Sequence, residues 1–141
     1  MGGGGFSMEP ENLALDQFVL SCSPRKNPRI CFLPTASGDA EGYIEHFYWA
    51  FESLSCQPSH LSLQRREESD LRAFLLEQEI IYVGGGNSFN ILTLWKAHGV
   101  DKILKEAWEN GIVLSGLSAG SVCWFESCLT DSFGPDLQAM K

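Results

Sequence analysis

Two short glycine-rich stretches carry the residue types and spacing that could do chemistry. The first is Gly116-Leu117-Ser118-Ala119-Gly120, placed directly after the apolar run Ile112-Val113-Leu114. A strand that ends in Gly-x-Ser-x-Gly and turns at once into a helix lifts its serine onto a tight turn as an exposed nucleophile. Gly116 and Gly120 leave space there that a side chain would fill. Ser118 Oγ would then stand at the carboxyl edge of a parallel sheet, where open α/β sheets bind ligands. The N–H groups that open the next helix would stabilise negative charge growing on a substrate oxygen. The second stretch, Gly84-Gly85-Gly86-Asn87-Ser88, follows the apolar run Ile80-Ile81-Tyr82-Val83. It lacks the Gly-Lys-[Ser/Thr] of a phosphate loop, and Phe89 stands where the dinucleotide fingerprint needs its last glycine. What remains is a bare backbone N–H offered to a carbonyl held over Ser118. The same residues also make a strand-to-helix turn with Asn87 as N-cap.

The elements that must position these stretches follow from periodicity. Ile30-Cys31-Phe32-Leu33, Ile80 to Val83 and residues 112–117 are short continuous apolar runs, as expected of strands buried on both faces. Leu61-Ser62-Leu63 alternates and reads as an edge strand opened by His60. Helical spacing appears in Leu15/Phe18/Val19/Cys22 from near Pro10, in Ile44/Phe47/Tyr48/Phe51 and in Leu71/Phe74/Leu75 behind a Ser69 or Asp70 cap. It recurs in Ile91/Leu94/Trp95/His98 and Val100/Ile103/Leu104/Ala107/Trp108, with Gly99 and Gly111 as C-terminal punctuation. A short helix is expected after Ser118 through Val122 to Phe125. Gly2-Gly3-Gly4-Gly5 reads as a loop, Arg65-Arg66-Glu67-Glu68 as a solvated turn, and the tail from Ser127 as polar without a terminal element. Strands alternating with helices imply a parallel sheet covered on both faces, a Rossmann-like or flavodoxin-like α/β layering.

At 141 residues with 44% hydrophobic and 20% charged residues, the chain is expected to form one globular α/β domain. A net charge of −8 with scattered Lys and Arg excludes a nucleic-acid binder. No apolar run is long enough to span a membrane, and no signal peptide is visible. Cys22, Cys31, Cys56, Cys123 and Cys128 are odd in number and hold no Cys-x-x-Cys pair. They read as free thiols in a reducing cytoplasm, not as a metal site.

Val83-Gly84-Gly85-Gly86-Asn87-Ser88-Phe89 followed by Gly116-Leu117-Ser118-Ala119-Gly120-Ser121 resembles the peptidase E and cyanophycinase group of serine peptidases. Gly2 to Pro10 and Pro34-Thr35-Ala36-Ser37 are also similar to loops of that group. Peptidase E is an α-aspartyl dipeptidase. The resemblance implies a three-layer sandwich with a mostly parallel sheet and class I glutamine-amidotransferase-like layering. It implies Ser118 as nucleophile, the amides of Gly86 and Ala119 as oxyanion hole, and Asp131 as the acid that orients a catalytic histidine. Asn87 would contact the substrate backbone, and Glu126 is the competing acid. No metal or cofactor is required, and the expected partner is a short peptide, with Asp-x dipeptides as the implied substrates. The group's histidine follows the acid, whereas His46, His60 and His98 all precede it. The sequence is therefore expected to be the N-terminal part of a longer enzyme and inactive by itself. Two alternatives stay open: an esterase of the α/β-hydrolase type, and a non-catalytic binding or homodimerisation module presenting Trp49, Trp95, Trp108 and Trp124.

Overall fold

The three continuous apolar runs become neighbouring strands of one sheet. A computed structural model describes residues 3–65 and 68–140. In it β1 (Arg29–Leu33), β2 (Gln57–His60), β3 (Ile80–Val83) and β4 (Val113–Gly116) lie in the order β2-β1-β3-β4, every pair parallel. Side chains alternate along each strand, and both faces are apolar. Cys31, Leu33, Ile81 and Val83 pack with α3 (Leu71–Leu76), α4 (Ser88–His98) and α5 (Val100–Glu109) through Leu75, Ile91, Trp95 and Leu104. Ile30, Phe32, Ile80 and Tyr82 pack with α1 (Ala14–Ser21) and α2 (Glu41–Phe51) through Val19, Ile44, Phe47 and Phe51. This is the expected three-layer α/β sandwich, with the flavodoxin-like strand order. Among the described residues no helix is long and apolar enough to cross a membrane.

Four expectations are corrected. The edge strand is Gln57–His60, which His60 ends; Leu61 and Leu63 are buried just beyond it. The helix expected from near Pro10 begins at Ala14, and of its stripe Val19 alone is buried: Leu15, Phe18 and Cys22 are exposed, and Asp16 takes the other buried position. The helix after Ser118, α6, stops at Val122. The tail does hold structure, an antiparallel hairpin of β5 (Cys128–Thr130) and β6 (Gln138–Met140). Of the expected solvated turn, Arg66 and Glu67 lie outside the described residues, and Arg65 is 3.7 Å from Glu41.

The glycine stretch at the start also does more than loop. Phe6, in a 3-10 turn over Gly5–Ser7, is buried with its ring 5.6–5.8 Å from those of Phe32, Tyr43, Phe47, Phe51 and Tyr82. Beneath it Asp16 is fully buried; it accepts the Phe6 N–H and, at 3.3 Å, the Tyr82 hydroxyl. Burial raises the Asp16 carboxyl above the usual carboxylate range, against the opposing pull of those two hydrogen bonds. The folded chain thus holds this proton more tightly than the unfolded chain. The stability linked to it is full below the unfolded pKa of about 3.9 and is lost as pH rises through the raised folded value.

Two outcomes are expected. Phe6→Ala should destabilise the fold by about 3–5 kcal/mol in urea unfolding, and a loss below about 1 kcal/mol would show that the N-terminal turn is not part of the core. Asp16→Asn should flatten the fall in stability as pH rises above about 4, relative to the unsubstituted chain. Identical pH slopes for the two proteins would rule out burial of this carboxyl as the cause.

Candidate active site

Ser118 lies between β4 and α6 (Ala119–Val122), exposed, with φ 50° and ψ −122°. Asp39 is the other described non-glycine residue with positive φ. Such a conformation costs about 1–3 kcal/mol and persists only where the surroundings enforce it. The enforcement is backbone contact. A Cβ on Gly116 would sit 2.2 Å from the Gly120 carbonyl oxygen, and one on Gly120 would sit 2.2 Å from that of Val83. The first turn of α6 is therefore pressed onto the ends of β3 and β4, and Ser118 occupies the corner.

The glycine loop after β3 lies against this corner. A Cβ on Gly85 would stand 2.9 Å from Leu117 Cδ1 and 3.2 Å from Ser118 Cβ. Gly86 has φ 140°, and a side chain there would reach within 2.4 Å of the Ala36 carbonyl oxygen. The loops following β1, β3 and β4 thus converge at the carboxyl edge, where strand order reverses between β1 and β3.

The amides of this loop are engaged one after another. Gly84 donates to the Leu33 carbonyl at 3.0 Å, Gly85 to the Tyr43 hydroxyl at 3.1 Å, and Asn87 to the Ala36 carbonyl at 2.8 Å. Among the described residues the Gly86 N–H has no acceptor, and neither has that of Ala119, whereas Gly120 and Ser121 donate to Leu117 and Ser118 carbonyls at 2.9 and 2.8 Å.

Asn87 is the expected N-cap: its Oδ1 accepts the Asn90 N–H at 3.0 Å. Its Nδ2 donates to the Ser132 carbonyl at 3.2 Å, which ties the tail to the glycine loop. Ser132 Oγ accepts the Ser88 and Phe89 amides at 2.9 and 3.4 Å and lies 2.7 Å from Thr130 Oγ1. The first turn of α4 is therefore capped from outside the helix by the β5–β6 connection. Sequence reasoning missed Ser132; its signal was a second hydroxyl in Thr130-Asp131-Ser132, beside the acid that was singled out.

Asp131 is exposed next to Ser132, and its carbonyl accepts the Gly134 N–H at 3.2 Å. The hairpin thereby brings Asp131 to the same loops, while Glu126 lines a trough beside α5. None of the histidines joins them. His60 ends the opposite edge strand, in register through Phe32 and Tyr82 with Ser115, about 14 Å away at ordinary strand spacing. His98 ends α4, about 15 Å along the helix from the loop at its start. His46 is exposed on α2. Cys123 just beyond the corner is no rival nucleophile at neutral pH, since burial pushes its thiol up to about 12. Among the described residues no three His, Cys, Asp or Glu side chains are grouped to hold a metal ion.

Gly120→Ala should cost about 1–3 kcal/mol or more through overpacking. Gly42→Ala, where a methyl meets nothing within 4 Å on α2, should instead be neutral or stabilising by up to about 1 kcal/mol. Ser132→Ala should cost about 1 kcal/mol by uncapping α4. Thermal denaturation of the three variants checks the set; equal effects at Gly120 and Gly42 would contradict the contact.

The chain matches peptidase family S51 over residues 1–140. It is 62% identical over 135 residues to the uncharacterized peptidase YgaJ of Bacillus subtilis, covering 96% of this chain and 59% of that protein. It is 30% identical over 93 residues to Peptidase E of Streptomyces coelicolor, covering 66% of this chain and 37% of that protein. A solved Listeria monocytogenes structure described as a peptidase E protein superposes with a TM-score of 0.63 at 28% identity, over 75% of this chain and 54% of that one. The structure of a peptidase from an acI-B1 actinobacterium gives a TM-score of 0.70 at 22% identity, over 94% of this chain and 58% of that one, a likeness of fold alone. The chain thus spans less than two thirds of the length of each of these proteins. Matched over nearly all its own length, it belongs to peptidase family S51.

Proposed function

We propose that this chain carries the nucleophile and the oxyanion donors of a serine peptidase that cleaves short peptides. The observation that carries the reading is Ser118: an exposed residue at positive φ against Gly85, in the corner where the following Ala119 amide and the Gly86 amide of the adjoining loop have no acceptors among the described residues. Ser118 Oγ attacks the scissile carbonyl carbon. The carbonyl oxygen takes up negative charge and accepts the two N–H groups, each contributing about 3–4 kcal/mol to the transition state. The Ser118 hydroxyl proton passes to a base as Oγ attacks and from that base to the amine as the tetrahedral intermediate collapses. Water, deprotonated by the same base, later releases the acyl group from Ser118. Asn87, engaged at both ends of its carboxamide, holds the Gly86 amide in place; touching substrate would require exchange of one of those bonds.

A serine at its free pKa is a weak nucleophile, so the reaction needs a base, and Asp131 would orient a histidine. That imidazole is none of His46, His60 and His98, given where they stand. Loss of such a base costs about a millionfold in kcat. Purified 141-residue chain should therefore hydrolyse Asp-x dipeptides at close to the background rate. Preference for an acidic residue rests on likeness to peptidase E; residues 34–39, 84–88, 117–121 and 130–134 include no Lys or Arg.

A peptide boronic acid tests the nucleophile without requiring turnover, because addition of Ser118 Oγ to boron gives the tetrahedral adduct directly. Boron NMR should show an adduct that disappears in Ser118→Ala and weakens in Gly86→Ala. An adduct that survives Ser118→Ala would refute the assignment, and appreciable dipeptide turnover would refute the missing base.

A further inference from the structure

Two phenylalanines stand beside the loops of the proposed site and against each other. Phe89, in the first turn of α4, and Phe133, in the β5–β6 connection, have ring centroids 5.3 Å apart in an edge-on contact. They remain 48% and 49% exposed, so each ring leaves apolar surface in water. The pair is fastened from below. Ser132 Oγ accepts the Phe89 amide as well as that of Ser88, so the residue before Phe133 holds the backbone of Phe89. The Ser132 carbonyl accepts Asn87 Nδ2, which closes the same link. The two rings therefore form a platform already ordered before a ligand arrives. It belongs to the carboxyl edge of the sheet: Phe133 lies two residues beyond Asp131, and Phe89 three beyond Gly86. Gly85 lies against Ser118, and the four residues of chain from there to Phe89 span at most about 14 Å.

We propose that the Phe89–Phe133 platform receives the substrate side chain on the amino side of the scissile bond, and that the substrates are short peptides with an apolar or aromatic residue there. The proposal rests on the reading of Ser118 as nucleophile. The turn at Gly86 and the cap at Asn87 shorten the path from Ser118 to the rings, which an extended peptide matches in two or three residues, about 7–11 Å. The acyl half is chosen because it stays on Ser118 through both steps, so a platform beneath it acts in both. Charge points the same way. The loops at this edge hold the exposed Asp131 and, in residues 34–39, 84–88, 117–121 and 130–134, no Lys or Arg, in a chain of net charge −8. A substrate carboxylate would meet like charge there and lose its water without a partner. An apolar side chain gains the ring surface it covers. The expected class thus differs from the Asp-x dipeptides that likeness to peptidase E implies.

The test uses three acetylglycyl boronic acids whose boron-bearing carbon carries the side chain of phenylalanine, of aspartate, or none. Boron NMR reports the Ser118 adduct whatever the side chain, and the three dissociation constants compare the side chains. The phenylalanine analogue should bind about tenfold more tightly than the unsubstituted one, and the aspartate analogue no more tightly. Phe89→Ala and Phe133→Ala should each bring the phenylalanine-to-unsubstituted ratio toward one. Phe18→Ala, at an exposed phenylalanine on α1, should keep the ratio of the unsubstituted chain. Proton Overhauser contacts should join the ligand's benzyl group to the rings of Phe89 and Phe133. Adducts with equal affinities, a preference for the aspartate analogue, or a ratio indifferent to both alanine variants would overturn the platform and leave Ser118 standing. Absence of an adduct with all three would overturn the reading of Ser118, and this proposal with it.

Discussion

The rest of the molecule depends on three backbone segments meeting with no side chain between them. The Val83 carbonyl at the end of β3, Gly120 in α6 and Gly116 at the end of β4 are so close that one methyl group would collide with a carbonyl oxygen. This contact fixes where α6 starts, and with it the turn that must be made between Gly116 and Ala119. Leu117 fills one side of that turn, in the core with Phe32 and Tyr82. Ser118 is left outside at positive φ. The strain of about 1–3 kcal/mol at such a residue is held by a parallel sheet whose register would have to shift to release it.

The two apolar cores reach up to these loops and hold them from either side. On one face Tyr43 stacks on Phe6, with ring centroids 5.6 Å apart, and its hydroxyl accepts the Gly85 N–H. On the other face the buried Trp95 donates its Nε1 proton to Thr35 Oγ1 at 3.3 Å, in the loop after β1. Asp39, the second residue with positive φ, accepts Ser62 Oγ at 2.6 Å and the Gln64 N–H at 2.9 Å, tying that loop to the chain beyond β2. A loop cluster at a sheet edge would ordinarily be the mobile part of such a fold. Here each loop is fastened by a side chain rooted in a layer below it.

What could be read in advance follows from how each element is stabilised. β1 and β3 are buried on both faces and had to be apolar throughout, so their sequence announces them. Asn87 and Gly99 act through local chemistry, a side-chain cap and a left-handed C-cap, and local chemistry is visible in sequence. β2 was misplaced because Gln57 to His60 are held by ladder hydrogen bonds to β1, to which hydrophobic pattern is blind. The same holds for the β5–β6 hairpin, whose residues are mostly exposed. In α1 the helical spacing finds Val19 and misses Asp16, which is buried because it answers to Tyr82 and Phe6, contacts that no helical spacing encodes. The pair of glycine motifs marked the two loops, after β3 and β4, that lie against each other at Gly85 and Ser118. Ser132 escaped because its partners lie more than forty residues away in the chain.

That distant partnership bears on the chemistry proposed for Ser118. An amide can stabilise a developing oxyanion only if it already points there, since turning it during the reaction would cost what it contributes. Gly86 lacks a side chain to restrain it, and its direction is set by its neighbours. Gly85 is held by Tyr43, Asn87 by Ala36, and Ser88 and Phe89 by Ser132. With the peptide groups on both sides committed, the Gly86 N–H has little freedom left although it has no partner of its own. In the proposed mechanism, then, Ser132 and Tyr43 touch neither substrate nor nucleophile. They act by keeping one unpaired donor from turning away from Ser118.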